Sequence, residues 1–177
     1  MKCVPLLFLS LGMLSGCGLQ ESNSEQEQGE SNAASEISGY VVDENDEEVL
    51  VVDTEASSTA NDGEHYDAVW LSDFSEDVEL GEKVNAEYGD AMEPYPGETS
   101  DVAYIEVIEE ERPEDADLTD AEVLREILPV DELDVPVIKT LEHDAEANQW
   151  TIEMADGVEL MGGDMDAETI DFEIDDE

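Results

Sequence analysis

The sequence predicts a mainly β protein: a small barrel of five short strands followed by a small α+β unit, a helix plus a β-meander. Three observations carry this. Five short apolar or β-branched runs lie between Ile37 and Ile108 with no helical period of any length among them. After Pro113, Thr119 and Glu122 stand three apart in front of an apolar run, the spacing of a capping box. Beyond that helix, polar turn sequences separate further short apolar runs.

Taken in order, residues 37–42 and 49–52 are β-branched runs flanking the polar stretch 43–48, and read as a hairpin. Asn61-Asp62-Gly63 marks a loop, and residues 68–71 (Ala-Val-Trp-Leu) a short apolar strand. A turn at Leu80-Gly81 leads into residues 84–88, where Val84, Ala86 and Tyr88 alternate with polar neighbours. Pro94-Tyr95-Pro96-Gly97 is an irregular loop, because two prolines and a glycine exclude regular pairing. A fifth strand over residues 102–108 ends the run before Arg112-Pro113. This barrel domain spans residues 37–112, and the α+β unit spans 113–163.

In that second unit the helix begins at Thr119, with Leu118 and Val123 placed as a hydrophobic staple. Val123, Leu124, Ile127 and Leu128 form its apolar face, and Pro129 stops it. Residues 135–141 and 149–154 read as strands around a polar turn, and Asp156-Gly157 as the turn into a third strand from Val158. About 45 residues without a disulfide are too few for an independent fold, so this unit is expected to pack against the barrel. Residues 164–177 alternate Ile170, Phe172 and Ile174 with acids. They read as an edge strand or a solvated acidic tail, and four acids among the last five residues favour the tail.

The N-terminus carries a different kind of information. Lys2 precedes an apolar stretch over residues 4–14, too short for the ~20 helical residues that cross a hydrocarbon layer. It closes on Leu14-Ser15-Gly16-Cys17. That tetrapeptide resembles the lipobox of bacterial lipoproteins, in which the thiol receives a diacylglyceryl group and the bond before the cysteine is cut. The resemblance implies a signal peptide over residues 1–16 and Cys17 as the lipidated first residue of the mature chain. Residues 17–36 are then a polar tether, nearly free of large apolar side chains and ~20–25 Å in mean reach. The implied location is the outer face of the cell membrane, held through acyl chains.

Of 177 residues, 52 are acidic and 5 basic, a formal net charge of −47. Such a surface lacks the clustered Lys and Arg that phosphate binding requires, so nucleic acid is excluded as a partner. Anionic head groups are repelled as well, which leaves membrane contact to the acyl chains on Cys17. The charge reads first as an adaptation to a saline or alkaline habitat. With Cys3 in the leader and Cys17 lipidated, no thiol remains for a disulfide or a thiolate metal site.

Several pieces of the first domain appear in order: Ile37-Ser38-Gly39-Tyr40-Val41-Val42, Asp67-Ala68-Val69-Trp70-Leu71, Gly81-Glu82-Lys83-Val84, Tyr95-Pro96-Gly97 and Ile105-Glu106-Val107-Ile108. On these the region resembles the YobA-like domain-of-unknown-function family found in lipoproteins of Bacillus relatives. The resemblance implies an OB-like barrel, a Gram-positive envelope and no known reaction. The chain departs from that family in having fewer basic residues.

No catalytic constellation emerges. The only histidines, His65 and His143, lie near neither a Gly-x-Ser-x-Gly elbow nor a cysteine, and their spacing suits no zinc site. Residues 43–47 and 164–168 offer oxygen ligands for calcium but place Glu48 and Thr169 where the EF-hand turn needs glycine. Neither catalytic nor metal-ligating residues are therefore assigned, and no cofactor. Tyr95, set between two prolines, is the candidate ligand contact, presented by a rigid loop. The expected function is that of a non-enzymatic, lipid-anchored envelope protein binding an envelope protein, peptide or saccharide. The alternatives are a calcium-binding or buffering surface protein with loosely held cations, and an enzyme whose site is not recognisable.

Overall fold

The computed structural model describes residues 34–58, 64–162, 167 and 169–176. The lipobox residues Leu14, Ser15, Gly16 and Cys17 lie outside the described residues, as do most of the tether and part of the stretch 164–168. The described residues all belong to one compact unit.

The expected five strands are present, with small shifts at their ends: β1 (Ser35–Glu44), β2 (Glu48–Asp53), β5 (Ala68–Ser72), β6 (Lys83–Tyr88) and β8 (Val102–Val107). Between β2 and β5 lies a two-residue ladder, β3 (Ser57–Ser58) with β4 (Glu64–His65). A sixth strand of the main sheet, β7 (Gly97–Thr99), follows directly on the proline loop. The sheet order is β7-β5-β2-β1-β6-β8. All its pairings are antiparallel except β5 with β7, which is parallel.

The expected five-stranded barrel, closed or partly open, is met only in part: the architecture is mainly β, but the strand count differs and the ring is not closed. The main sheet has six strands, and among the described residues no ladder joins β7 to β8, so the hydrogen-bonded ring stays open. The physical reason is the break at Ser100-Asp101, which separates β7 from β8 in the chain. A strand that bends there spends its two halves on different neighbours, the first on β5 and the second on β6.

Both faces of the sheet are buried at its centre, along β1 and β2. One carries Ile37, Val41, Val49, Val51, Val69, Leu71, Val84, Ala86 and Ile105. The other carries Tyr40, Val42, Leu50, Val52 and Ala68, which join the core of the C-terminal unit. This explains why residues 49–52 are an unbroken apolar run: a strand covered on both sides has no polar face to alternate with. Gly39 is required where β1 crosses β2, since a methyl group there would collide with the Val52 carbonyl.

Helix α1 (Asp120–Ile127) begins where the capping box places it. Thr119 Oγ1 accepts from the Glu122 N–H at 3.3 Å, and Glu122 Oε2 accepts from the Thr119 N–H at 2.8 Å. Its Val123 and Leu124 are fully buried. The helix packs on the turn at Gly81, whose φ of +82° and close approach to the Ala121 carbonyl leave no room for a Cβ.

The three-stranded sheet, in order β11-β10-β9, combines β9 (Pro136–Asp144), β10 (Gln149–Asp156) and β11 (Thr169–Asp175). Two sequence expectations change here. The third strand from Val158 is instead a short helix, α2 (Gly157–Met161), because the Asp156 carboxylate accepts from the N–H groups of Val158 (2.7 Å) and Glu159 (3.4 Å) and so starts a helix, not a hairpin. The C-terminus is the edge strand of the two readings: Ile170, Phe172 and Ile174 turn toward the core, and Asp171, Glu173 and Asp175 point to water. The expected packing of this unit against the first is seen in a core that Trp150, Ile152, Met154, Val135 and Val137 share with Tyr40, Val42, Leu50 and Val52.

Candidate functional site

Two sequence features build the principal cleft. The proline loop enters β7, and α2 lies beside β4, so that Met92, Pro94 and Tyr95 from the loop face His65 of β4 and Met161 of α2. The open cleft has a volume of about 570 Å³. Asp67 and Glu93 stand exposed at its rim. Met92 is 66% exposed and Met161 46% exposed, two of the four large hydrophobic side chains that are exposed among the described residues.

Tyr95, the contact read from the sequence, is half-buried and turned inward. Its ring tilts against His65 with centroids 5.6 Å apart, and its hydroxyl is sealed beneath α2, where a methyl on Gly157 would strike it. Among the described residues that hydroxyl has no hydrogen-bond partner. Burial, then the nearby charges of Asp156 and Asp67, push it up to about 12. Tyr95 therefore serves as a wall of the cleft, with only part of its ring available to a ligand. The sequence singles out neither Met92, Met161 nor Glu93, and marks His65 only as one of two histidines without a catalytic or zinc partner. A methionine in an irregular loop and another in a five-residue helix have no periodic signal, and in a chain with 52 acids no single acid stands out.

No lysine or arginine of the described residues lines the cleft. Among the described residues each lysine and arginine is paired with a glutamate: Lys83 with Glu110 (3.1 Å), Arg112 with Glu122 (3.8 Å), Arg125 with Glu79 (3.1 Å), and Lys139 with Glu64. His65 lies 3.2 Å from Asp67.

A second depression of about 600 Å³ lies over β1, β6 and the exposed Tyr104, but Glu36, Asp53, Glu55 and Asn85 make it polar and its one cation, Lys83, is tied to Glu110. The more apolar cleft at Tyr95 better fits the usual make-up of a ligand site.

Two polar clusters hold the units together. At the first, the Tyr40 hydroxyl lies 3.1 Å from Glu110 Oε2 and 3.4 Å from Asp120 Oδ2, with Lys83 on the other Glu110 oxygen. One hydroxyl proton faces two carboxylates. Burial, then the Glu110 charge, raise Asp120 above the ordinary carboxylate range, and burial followed by both carboxylates raises Tyr40. At the second, the Asp176 carboxylate accepts from the N–H groups of Asp117 (2.6 Å) and Leu118 (2.8 Å) and from the Trp150 indole (3.1 Å). His143 Nε2 is 3.3 Å away without completing a hydrogen bond. Burial works to raise Asp176, but these donors and His143 outweigh it and hold the group below the ordinary range. Both clusters span elements and act as structural fasteners, and the first, through Lys83, Glu110 and Asp120, also walls a depression of about 570 Å³ that Glu82, Glu109 and Glu111 make acidic.

Among the described residues no group of three or more His, Cys, Asp or Glu side chains is placed to hold a metal ion. In the 43–47 turn, Asn45 Oδ1 accepts from the N–H groups of Glu47 and Glu48, so this oxygen closes the hairpin. Among the described residues no helix is long and apolar enough to cross a membrane.

No curated protein and no solved structure matches the chain. Residues 38–109, which run from β1 through β8 and hold the whole six-stranded sheet except its first residues, match the family model described as a protein of unknown function (DUF3221).

Proposed function

We propose that this chain is an exported, lipid-anchored and non-enzymatic binding protein of the cell envelope, and that its ligand site is the cleft walled by Tyr95. One observation carries the reading: a cleft in which two solvent-exposed methionines sit beside a half-buried tyrosine, under a rim of acids and without a lysine or arginine. Exposed apolar surface costs solubility, and its concentration in one concave place is what a binding site requires.

The first domain is a partly open OB-like barrel. Three features support this: β1 pairs with both β2 and β6, β7 runs parallel to β5, and only Ser100 and Asp101 separate β7 from β8. The Leu14-Ser15-Gly16-Cys17 lipobox supports attachment through Cys17 to the outer face of a Gram-positive membrane. The surface acidity is an adaptation to salt or alkali.

The test places a photoreactive p-benzoylphenylalanine at position 92 in living cells, with position 47 in the exposed hairpin turn as the control. A discrete adduct from position 92 and none from 47 is expected. No adduct, or the same adducts from both, overturns the site. Radiolabelled palmitate fed to the cells is expected to label the parent chain and not Cys17→Ala, and an unlabelled parent or a labelled variant would refute the anchor.

A further inference from the structure

We infer that the cleft takes a cationic, amphipathic peptide segment of a protein partner, an inference that rests on the cleft being the ligand site. The apolar half of the argument is the pair Met92 and Met161. Methionine is unbranched and polarizable, so two exposed thioethers form an adaptable seat for an aliphatic or aromatic side chain. Val158, also exposed, extends the apolar surface along α2.

The charged half is complementarity. Asp67 and Glu93 rim the cleft, each lysine and arginine of the described residues is neutralised by a glutamate elsewhere, and the chain carries a net charge of −47. An anionic ligand finds no counter-charge, whereas a lysine or arginine next to an apolar side chain satisfies rim and floor together. Strand addition is not the mode, because the neighbouring edge is occupied. The Met92 N–H donates to the Glu98 carbonyl (2.8 Å), the Glu98 N–H donates back (3.2 Å), and β5 is already paired with β2 and β7. Recognition therefore runs through side chains.

The experiment uses the full chain in phosphatidylcholine nanodiscs, with empty nanodiscs as the blank. Anisotropy is measured at 0.15 M salt with three labelled decapeptides: alternating lysine and leucine, alternating glutamate and leucine, and alternating lysine and serine. The lysine–leucine peptide is expected to bind at least tenfold more tightly than either of the others. In the double variant Met92→Ser, Met161→Ser, which keeps the charge and alters only exposed positions, that preference is expected to fall below threefold. Equal binding of both lysine peptides, or an unchanged preference in the variant, would overturn the inference by showing diffuse charge attraction. Displacement by chitotriose at constant ionic strength would overturn it in favour of a saccharide. A specific adduct from position 92 without any peptide preference refutes the peptide and leaves the ligand site standing; failure of both removes the site itself.

Discussion

Leu124→Ala tests whether the two sheets share one core. Leu124 is fully buried in α1, beside Gly81 of the first domain and within the cluster that also contains Trp150, Ile152 and Met154. Truncation removes three carbons from a site walled by two different sheets and the helix, neither of which can collapse without moving the other. A cost of about 3 kcal/mol is expected, within the ~2–5 kcal/mol typical of buried leucine truncation. For a unit of this size that corresponds to a loss of about 6–12 °C in melting temperature. The chain supplies one tryptophan reporter per sheet, Trp70 in β5 and Trp150 in β10. Each is followed by fluorescence in the background where the other is phenylalanine, with and without Leu124→Ala, in 1 M sodium chloride. A single transition that moves by the same amount at both reporters is expected. A shift at Trp150 with none at Trp70 would refute the shared core and make the C-terminal unit independently stable.

Asp120→Asn should stabilise the protein increasingly from pH 3 to pH 7, read as the difference in melting temperature. The native Asp120 carboxyl is raised by burial and by Glu110, so on raising the pH the unfolded chain ionises first and the native state is penalised until its own raised pKa is passed. Asp176 has the opposite sign: its native carboxyl is lowered, so its contribution is present above the ordinary carboxyl pKa and lost as pH falls through the lowered one. Asp176→Asn should therefore melt lower than the parent at pH 7 and approach it in strong acid; a constant difference at all pH values would refute this role. Gly39→Ala should destabilise by about 3 kcal/mol, at the upper end of overpacking costs, because the neighbour it meets is backbone; denaturant titration measures it. Molar sodium chloride, with a Debye length near ~3 Å, should raise the melting temperature more than millimolar calcium does at fixed ionic strength. A saturable calcium effect would instead restore specific cation binding as the leading function.

The β pattern, the capping box and the open turns were legible because each is local. Thr119 and Glu122 satisfy each other within one turn of helix, and β-branched runs bounded by Asp, Asn and Gly need no distant information to become strands. What misled was local ambiguity settled from afar. Asp156-Gly157 is compatible with a hairpin or a helix cap, and Asp134, whose N–H donates to the same carboxylate at 2.7 Å, holds it in the capping position. The acidic C-terminus became a strand because β10 offered an unpaired edge, and Asp176 found buried donors on Asp117, Leu118 and Trp150.

The sequence by itself determined that the chain is mainly β, where most strands and the helix lie, that it is overwhelmingly acidic, and that no set of residues resembles a catalytic motif. Only the tertiary structure decided that the main sheet bends and stays open between β7 and β8, that the two sheets share a core, and that Tyr95 faces inward while Met92 and Met161 meet across a cleft. Strand formation and charge follow from neighbours along the chain. A cleft is made by residues as far apart as His65 and Met161, whose meeting depends on how separate elements pack.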